Sequence, residues 1–413
     1  MANERLKIQP DLEFIQEVLD NGGDSLKKCF QCGTCSVVCN LTPDDDPFPR
    51  KEMIWAQWGQ KQKLLADPAI WTCYQCGDCS TFCPRGARPG DVLGAIRKTV
   101  IEAVAFPRFM GKAVGDPHYW AFLFLAPALI LLAIIFFNGA GFMNEHPVVY
   151  GHMISHLQMN MVFPFFTGLA ALAFLVGINR MWEASSGESL LAFSLKALKE
   201  NGILKLVMDF AGGQGPMFTA VKDVLVGILT HKDFDRCDAN KSRRLAHLLV
   251  FYAFMGLLLT TVLAIVVLVA DEYLGYDGLG VYPLRPLHPI KWLGNGSAIA
   301  LILGAGLMIA NRGRKAKTGE MKSSTFDLFF LYIILFVGIT GFVAQVLRFL
   351  DLSLLGYSTY FLHLVLVFSL LVYSPYSKFA HFVYRTVALI HGRYQELETA
   401  KAEAPATSET QAA

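Results

Sequence analysis

Eight of the nine cysteines in this 413-residue chain fall into two near-copies of one motif. The first reads Cys29-Phe-Gln-Cys32-Gly-Thr-Cys35-Ser-Val-Val-Cys39; the second reads Cys73-Tyr-Gln-Cys76-Gly-Asp-Cys79-Ser-Thr-Phe-Cys83, followed by Pro84. Both have the spacing C-x2-C-x2-C-x3-C. Three thiolates so spaced wrap a tight loop round one face of a four-iron cubane, and a fourth, distant one completes it. Where two such motifs share a chain, the fourth cysteine ligates the other cluster. That rule predicts one [4Fe–4S] cluster on Cys29, Cys32, Cys35 and Cys83 and a second on Cys73, Cys76, Cys79 and Cys39. Gly33 and Gly77 let the backbone approach the inorganic sulfides with no side chain in the way. Zinc favours two separated cysteine pairs over four cysteines inside eleven residues.

Beyond residue 105 the character of the chain changes. At 54% hydrophobic and 17% charged it is too apolar for an ordinary soluble protein, and its formal charge of +2 gives no reason to invoke nucleic acid. Six segments are long and apolar enough to span a bilayer: 119–138, 161–178, 248–270, 292–310, 326–350 and 359–376. The expected organisation is mainly α: a helical two-cluster domain over 1–105, a six-helix membrane bundle over 106–395, and a disordered tail over 396–413 rich in Ala, Glu and Thr. Lys196, Lys199, Lys205, Lys222, Lys232, Lys241 and Arg243 precede the third span, and Arg312, Arg314, Lys315, Lys317 and Lys322 follow the fourth, whereas 139–158 has no Lys or Arg. The positive-inside rule then puts the basic loops and both termini on the cytoplasmic side of the cell (inner) membrane. The N-terminal sequence, with acids and no apolar core, agrees. In that reducing compartment clustered cysteines point to metal rather than disulfides.

His363 and His381 lie eighteen residues apart on or just past the last span. On one continuous helix, at about 100° per residue, both would face one way, about 27 Å apart, an arithmetic that a kink at the intervening Pro375 makes approximate. One would then lie near each membrane face, as two stacked hemes require. No Cys-x-x-Cys-His occurs, so any heme is non-covalent, b-type. His247 opens the third span and is the natural mate of His381; His288 is the choice for His363 over His152 and His156. The rival reading is a heme-free anchor or ion-conducting module with these histidines as proton relays. Lys291 and Arg348 border the outer face, where they could meet propionates or a quinone or snorkel to headgroups. Cys237 reads as a free structural thiol, the stretch 189–210 as an amphipathic segment on the inner surface, and Trp55 and Trp58 as core residues of a short helix.

The stretches CFQCGTCSVVC and CYQCGDCSTFCPRGARPGDVLGAIR resemble the C subunit of heterodisulfide reductase. That resemblance implies a small helical ferredoxin that passes single electrons to a larger catalytic subunit. The segment HLVLVFSLLVYSPYSKFAH resembles the last helix of the nitrate-reductase gamma family of cytochromes b, which includes the heterodisulfide reductase E subunit, and implies His363 and His381 as axial ligands. The segment from His247 resembles that family's other ligand helix; where the family has a second histidine ten residues on, this chain has Leu257, which leaves His288 as the replacement. A fusion of both parts, with ILTHKDFDRCDANKSRRLAHLLVFYAFMG and PLHPIKWLGNGSA, is similar to the C subunit of the quinone-interacting membrane-bound oxidoreductases. This implies menaquinone as the membrane carrier and flavin- and Fe–S-bearing A and B subunits as partners, facing adenylylsulfate reductase. A heterodisulfide-reductase-like complex with another carrier is the neighbouring possibility.

Overall fold

The computed structural model describes residues 8–403 except 44–45, 145, 203–211, 214, 233, 235–240, 282–283 and 319–323. Among the described residues the chain forms seventeen α-helices and no strand. The cysteine-bearing part comprises α1 (Leu12–Val18), α2 (Thr34–Val37), α3 (Arg50–Gln57), α4 (Lys61–Ala66), α5 (Asp78–Thr81) and α6 (Pro89–Val104). The two motifs fold alike because equivalent residues carry the same unusual backbone. Gln31 and Gln75 have φ of 60° and 50°, and Gly33 and Gly77 have φ of 85° and 100°. Two left-handed residues in three turn the chain sharply, and the wider angle falls to glycine, which adopts it without steric cost. One turn of helix, α2 or α5, then follows each bend.

The core beneath the motifs contains Phe14, Leu26, Met53, Trp71, Leu93 and Ile96, all essentially inaccessible. On α3 the inward face is Glu52, Met53 and Ala56. Trp55 packs only partly against this core, with Lys51 Nζ 5.0 Å from its ring centre. Trp58 lies past the last turn and is 46% exposed, so the expectation of two core tryptophans fails for it; Trp71 fills that role.

A short α7 (Arg108–Gly115) leads to the apolar helices: α8 (Trp120–Asn138), α9 (Tyr150–Met153), α10 (His156–Ser186), α11 (Leu190–Asn201), α12 (Pro216–Thr230), α13 (Lys241–Leu268), α14 (Pro289–Lys317), α15 (Thr325–Phe349), α16 (Ser353–Val372) and α17 (Ala380–Glu403). Six of these, α8, α10 and α13–α16, are long and apolar enough to cross a membrane. Their most apolar windows are only 17–39% buried within the chain, an apolar belt that lipid rather than water would cover. Three of the spans, at His156–Ser186, Arg243–Tyr273 and Pro289–Lys317, overrun the expected apolar segments at both ends, because helical hydrogen bonding continues into the polar flanks beyond the hydrocarbon. Helix α11 leaves Leu191, Leu195 and Leu198 exposed along one face, while Phe193 packs on Trp182.

Two expectations change. The last span does not run continuously to His381. Helix α16 stops at Val372, a single turn spans Ser374–Tyr376, and Ser377 is extended. Pro375 has no N–H to donate to the preceding turn, and its ring crowds that turn's carbonyl. The break is held by the Tyr373 hydroxyl donating to Leu123 O at 2.8 Å and that of Tyr376 donating to Phe106 O at 2.6 Å. His381 therefore belongs to a separate helix, and the shared-face arithmetic does not apply. Residues 396–403, expected in the tail, continue α17.

Helix α17 is also what seats the two parts on each other. Tyr384 is fully buried against Trp71, with ring centres 6.2 Å apart, and its hydroxyl occupies the space that a Cβ on Gly177 of α10 would fill. Arg180 of α10 donates to the Val104 and Ala105 carbonyls at 3.1 and 2.6 Å, capping the end of α6.

Glu52 gives this core a pH dependence. It is fully buried, the Asp67 carboxyl is within hydrogen-bonding reach of it, and Lys51 stands 3.6 Å away while also serving Asp46 and Asp67. Burial first, then the charge of Asp67, pushes its carboxyl up to about 9. An unfolded glutamate titrates near ~4.3. Between those values the folded chain keeps a proton that the unfolded chain has released, so stability falls as pH rises through that window. Glu52→Gln removes this titration. The variant's thermal midpoint, relative to the unmodified chain, should rise between pH 5 and pH 8 in scanning fluorimetry of the detergent-solubilised protein. A difference independent of pH would show the carboxyl to be ionised in the fold.

Candidate electron-transfer centres

The folded motifs bring cysteines from opposite ends of the domain together. Cys39, Cys73, Cys76 and Cys79 line one cavity, alongside Phe48 and Leu93. Cys29 lies in the electrostatic field of Cys83 and Cys32, and Cys35 in that of Cys29 and Cys32. None of these eight cysteines is in a disulfide. Burial is the largest influence on Cys29, Cys35, Cys39 and Cys79 and raises each, Cys35 to about 11. Exposed Cys32 is lowered by the Thr34 hydroxyl, 3.4 Å away. Grouped, buried thiols resist ionising without a cation to compensate them, and an all-sulfur donor set suits iron–sulfur chemistry. Among the described residues no three Cys, His, Asp or Glu side chains converge as one bare ion would need.

The two sites differ in their surroundings. At the first, Gln57 Nε2 donates to the Cys29 and Leu26 carbonyls at 2.8 and 3.1 Å, and Gln31 Nε2 donates to Gln57 Oε1 at 3.2 Å. Phe30, Val37 and Phe82 around it are 66%, 86% and 61% exposed, so this site faces outward. At the second, three cations reach the loop carbonyls. Arg97 of α6 donates to Cys73 O at 3.0 Å, Arg243 of α13 to Tyr74 O at 3.2 Å and Gln75 O at 2.6 Å, and Lys315 of α14 to Cys76 O at 3.0 Å. The second site is thus seated on the membrane helices. In the sequence Arg243 and Lys315 read only as loop charges; their partners are backbone groups distant in the chain, which carry no sequence signal.

His247 stands one turn beyond Arg243 on α13. Phe251, a turn further, packs on Phe382 beside His381 with ring centres 6.0 Å apart, and His381 lies within electrostatic reach of His247. The expected inner pair is therefore brought together. In both rings Nδ1 is taken: His247 Nδ1 by His231 Nε2 at 2.8 Å, and His381 Nδ1 by the carbonyl of Lys378. Neither Nε2 has a hydrogen-bond partner among the described residues. Burial, then the charge of Lys378, depresses His381 to about 3, so the imidazole is neutral. A neutral ring anchored through Nδ1 with Nε2 open is what an axial ligand requires. Lys378 is itself anchored, its Nζ 2.8 Å from Asp327, which also holds Arg312 at 3.0 Å. His231 carries no motif that would single it out in the sequence. It sits at a left-handed helix end, φ 51°, a position glycine usually takes.

The expected outer pair is not brought together. His363 Nδ1 lies 3.0 Å from the Thr340 hydroxyl, its ring fills the space left by Gly341, and the Val337 backbone is also within hydrogen-bonding reach of the imidazole. His288 instead caps α14: its Nδ1 accepts from Ile290 N at 3.3 Å and its Nε2 meets Leu279 O at 3.2 Å, which occupies both nitrogens. Lys291 follows half-buried in the first turn of that helix. His156 pairs with Glu272 at 2.6 Å at the end of the bundle away from the cysteines. Cys237, Lys205 and Lys322 lie outside the described residues.

Residues 25–87 match the family described as 4Fe-4S dicluster domain. The chain is 38% identical over 107 residues to the C subunit of the H(2):CoB-CoM heterodisulfide,ferredoxin reductase of Methanothermobacter thermautotrophicus, covering 26% of this chain and 57% of that protein. It is 32% identical over 94 residues to a protein of Archaeoglobus profundus that is itself described as like the heterodisulfide reductase C subunit, covering 22% and 48%. It thus spans about half the length of these curated relatives. A longer, weaker likeness is to "Citrate utilization protein B" of Escherichia coli, 26% identical over 303 residues, covering 72% of this chain and 73% of that protein. No solved structure matches. The N-terminal part of this chain is a 4Fe-4S dicluster domain like that of the heterodisulfide reductase C subunits, carried on a polypeptide with six helices able to cross a membrane.

Proposed function

We propose that this chain is the membrane subunit of a quinone-linked oxidoreductase, joining menaquinone to cytoplasmic flavin- and Fe–S-bearing partners. When bound, heme b and the two clusters supply one-electron carriage; the protein's part is to hold them in line. The observation that carries the reading is on α13: Arg243 grips the carbonyls between Cys73 and Cys76, and His247 follows one turn later. One rigid helix thereby spaces a heme-competent histidine from a cluster loop. His247 and His381 are the proposed axial ligands, each positioned through Nδ1. His363 is a candidate for a further outer heme, with Lys291 near the quinone region. Cys39, Cys73, Cys76 and Cys79 would hold the membrane-side cluster, and Cys29, Cys32, Cys35 and Cys83 the outward one. The exposed Phe30, Val37 and Phe82 beside the outward site would meet the soluble partner. By resemblance to the quinone-interacting oxidoreductases, that partner is their A and B subunits, facing adenylylsulfate reductase. The likeness to Citrate utilization protein B supports a second reading, the same wire serving a soluble partner in citrate use. Identifying the proteins that co-purify with the chain separates the two.

Anaerobically purified protein should contain about eight irons and eight sulfides. Cys83→Ser should leave about four irons and remove the cluster of the first motif. Loss of the same electron paramagnetic resonance signal in Cys83→Ser as in Cys76→Ser would refute the shared ligation. Pyridine hemochrome assay should detect heme b. His247→Ala and His381→Ala should each abolish reduction of the clusters by a reduced quinone analogue while dithionite still reduces them. Heme b content unchanged in both variants would remove the pair from the ligand set.

A further inference from the structure

We propose that Arg97, Arg243 and Lys315 form a positive clasp that sets the reduction potential of the second cluster above that of its near-copy. The proposal rests on the assignment of Cys39, Cys73, Cys76 and Cys79 to one cluster. The two motifs are close enough in sequence, CFQCGTC against CYQCGDC, to be expected to behave alike. Their surroundings make them unequal. The loop from Cys73 to Cys76 presents four consecutive carbonyls, and all four accept from cations: Cys73 from Arg97, Tyr74 and Gln75 from Arg243, and Cys76 from Lys315. At the first motif the Cys29 carbonyl accepts from the uncharged amide of Gln57.

A cluster that gains an electron gains one negative charge, so fixed positive charge beside it favours the reduced form. Arg97 is buried and the other two are partly so, where charges act through a dielectric well below that of water. Two features oppose this. Asp78 stands in the second motif where the first has Thr34, adding one negative charge. Solvent around exposed Cys32 favours reduction at the first site, as do Arg50 and Arg85 nearby. Arg50 and Arg85 are exposed, however, and water and salt screen them. Three positive charges hydrogen-bonded into one loop outweigh one carboxylate and the screened pair. The same three residues come from the cysteine domain and from two membrane helices, so the potential is set only in the assembled chain.

The test is a redox titration of the full chain in detergent, followed by electron paramagnetic resonance, with the second cluster's signal identified by its loss in Cys76→Ser. In the unmodified chain that signal should develop first as the potential is lowered. Lys315→Gln and Arg243→Gln should each move it down by about tenfold in the reduction equilibrium, ~59 mV for one electron, and leave the first cluster's signal in place. Lys315→Arg, which keeps the charge, should retain the original potential. The proposal is overturned if both signals stay put, if both move together, or if the glutamine variants simply lose iron at the second site. Fewer than about eight irons in the unmodified chain would instead sink the cluster assignment, before any potential is compared.

Discussion

A loop that folds around sulfur ligands cannot pair its own carbonyls, and most of this architecture follows from where that loop finds donors. The segment Cys73–Cys76 has left-handed backbone at Gln75 and then Gly77, so its carbonyls point away from any helix or sheet ladder. Buried carbonyls without donors are costly. Arg97 satisfies one from within the domain; Arg243 and Lys315 satisfy the others from helices that continue into the apolar bundle. Charge-assisted bonds of this kind are stronger than neutral ones. The dicluster domain is therefore tied to the bundle at the loop that carries its cysteines.

The C-terminal helix completes the junction from the other side. Tyr384 reaches into the core around Trp71, and Gly177 on α10 leaves room for its hydroxyl. At the start of the same helix, His381 is fixed through the carbonyl of Lys378, and Lys378 by Asp327 together with Arg312. Three charged groups packed this closely gain little net stability over apolar residues, but removing Asp327 would leave two buried cations uncompensated. Their value here is geometric, since they hold the turn after Pro375 and with it the ring of His381.

The features that are legible in the sequence are those set by local rules. Cysteine spacing is fixed by the size of one cluster, and apolar length by the thickness of one bilayer, so neither needs tertiary information. The expected pairing of Cys39 with the second motif rests on a general rule of shared ligation, and the fold places that cysteine in one cavity with Cys73, Cys76 and Cys79. Reasoning along the helix fails where a proline breaks phase. An uninterrupted helix would put His363 and His381 on one face, and Pro375 separates them into two helices. Trp58 reads as core by residue type and falls beyond the last turn of α3.

By itself, then, the sequence determined that eight cysteines form two equivalent loops and that six helices are apolar enough to cross a membrane. Only the tertiary structure decided that the loops are not equivalent. One set of carbonyls meets the amide of Gln57 and the other meets Arg97, Arg243 and Lys315. It also decided that His288 spends one nitrogen capping a helix and the other on the Leu279 carbonyl, while His247 and His381 are each held through Nδ1. The reason is the same in each case. A side chain's chemistry is written in its residue type, but which polar atoms it must satisfy depends on distant groups. Lys315 and the Cys76 carbonyl are 239 residues apart in the chain, and folding alone brings them to 3.0 Å.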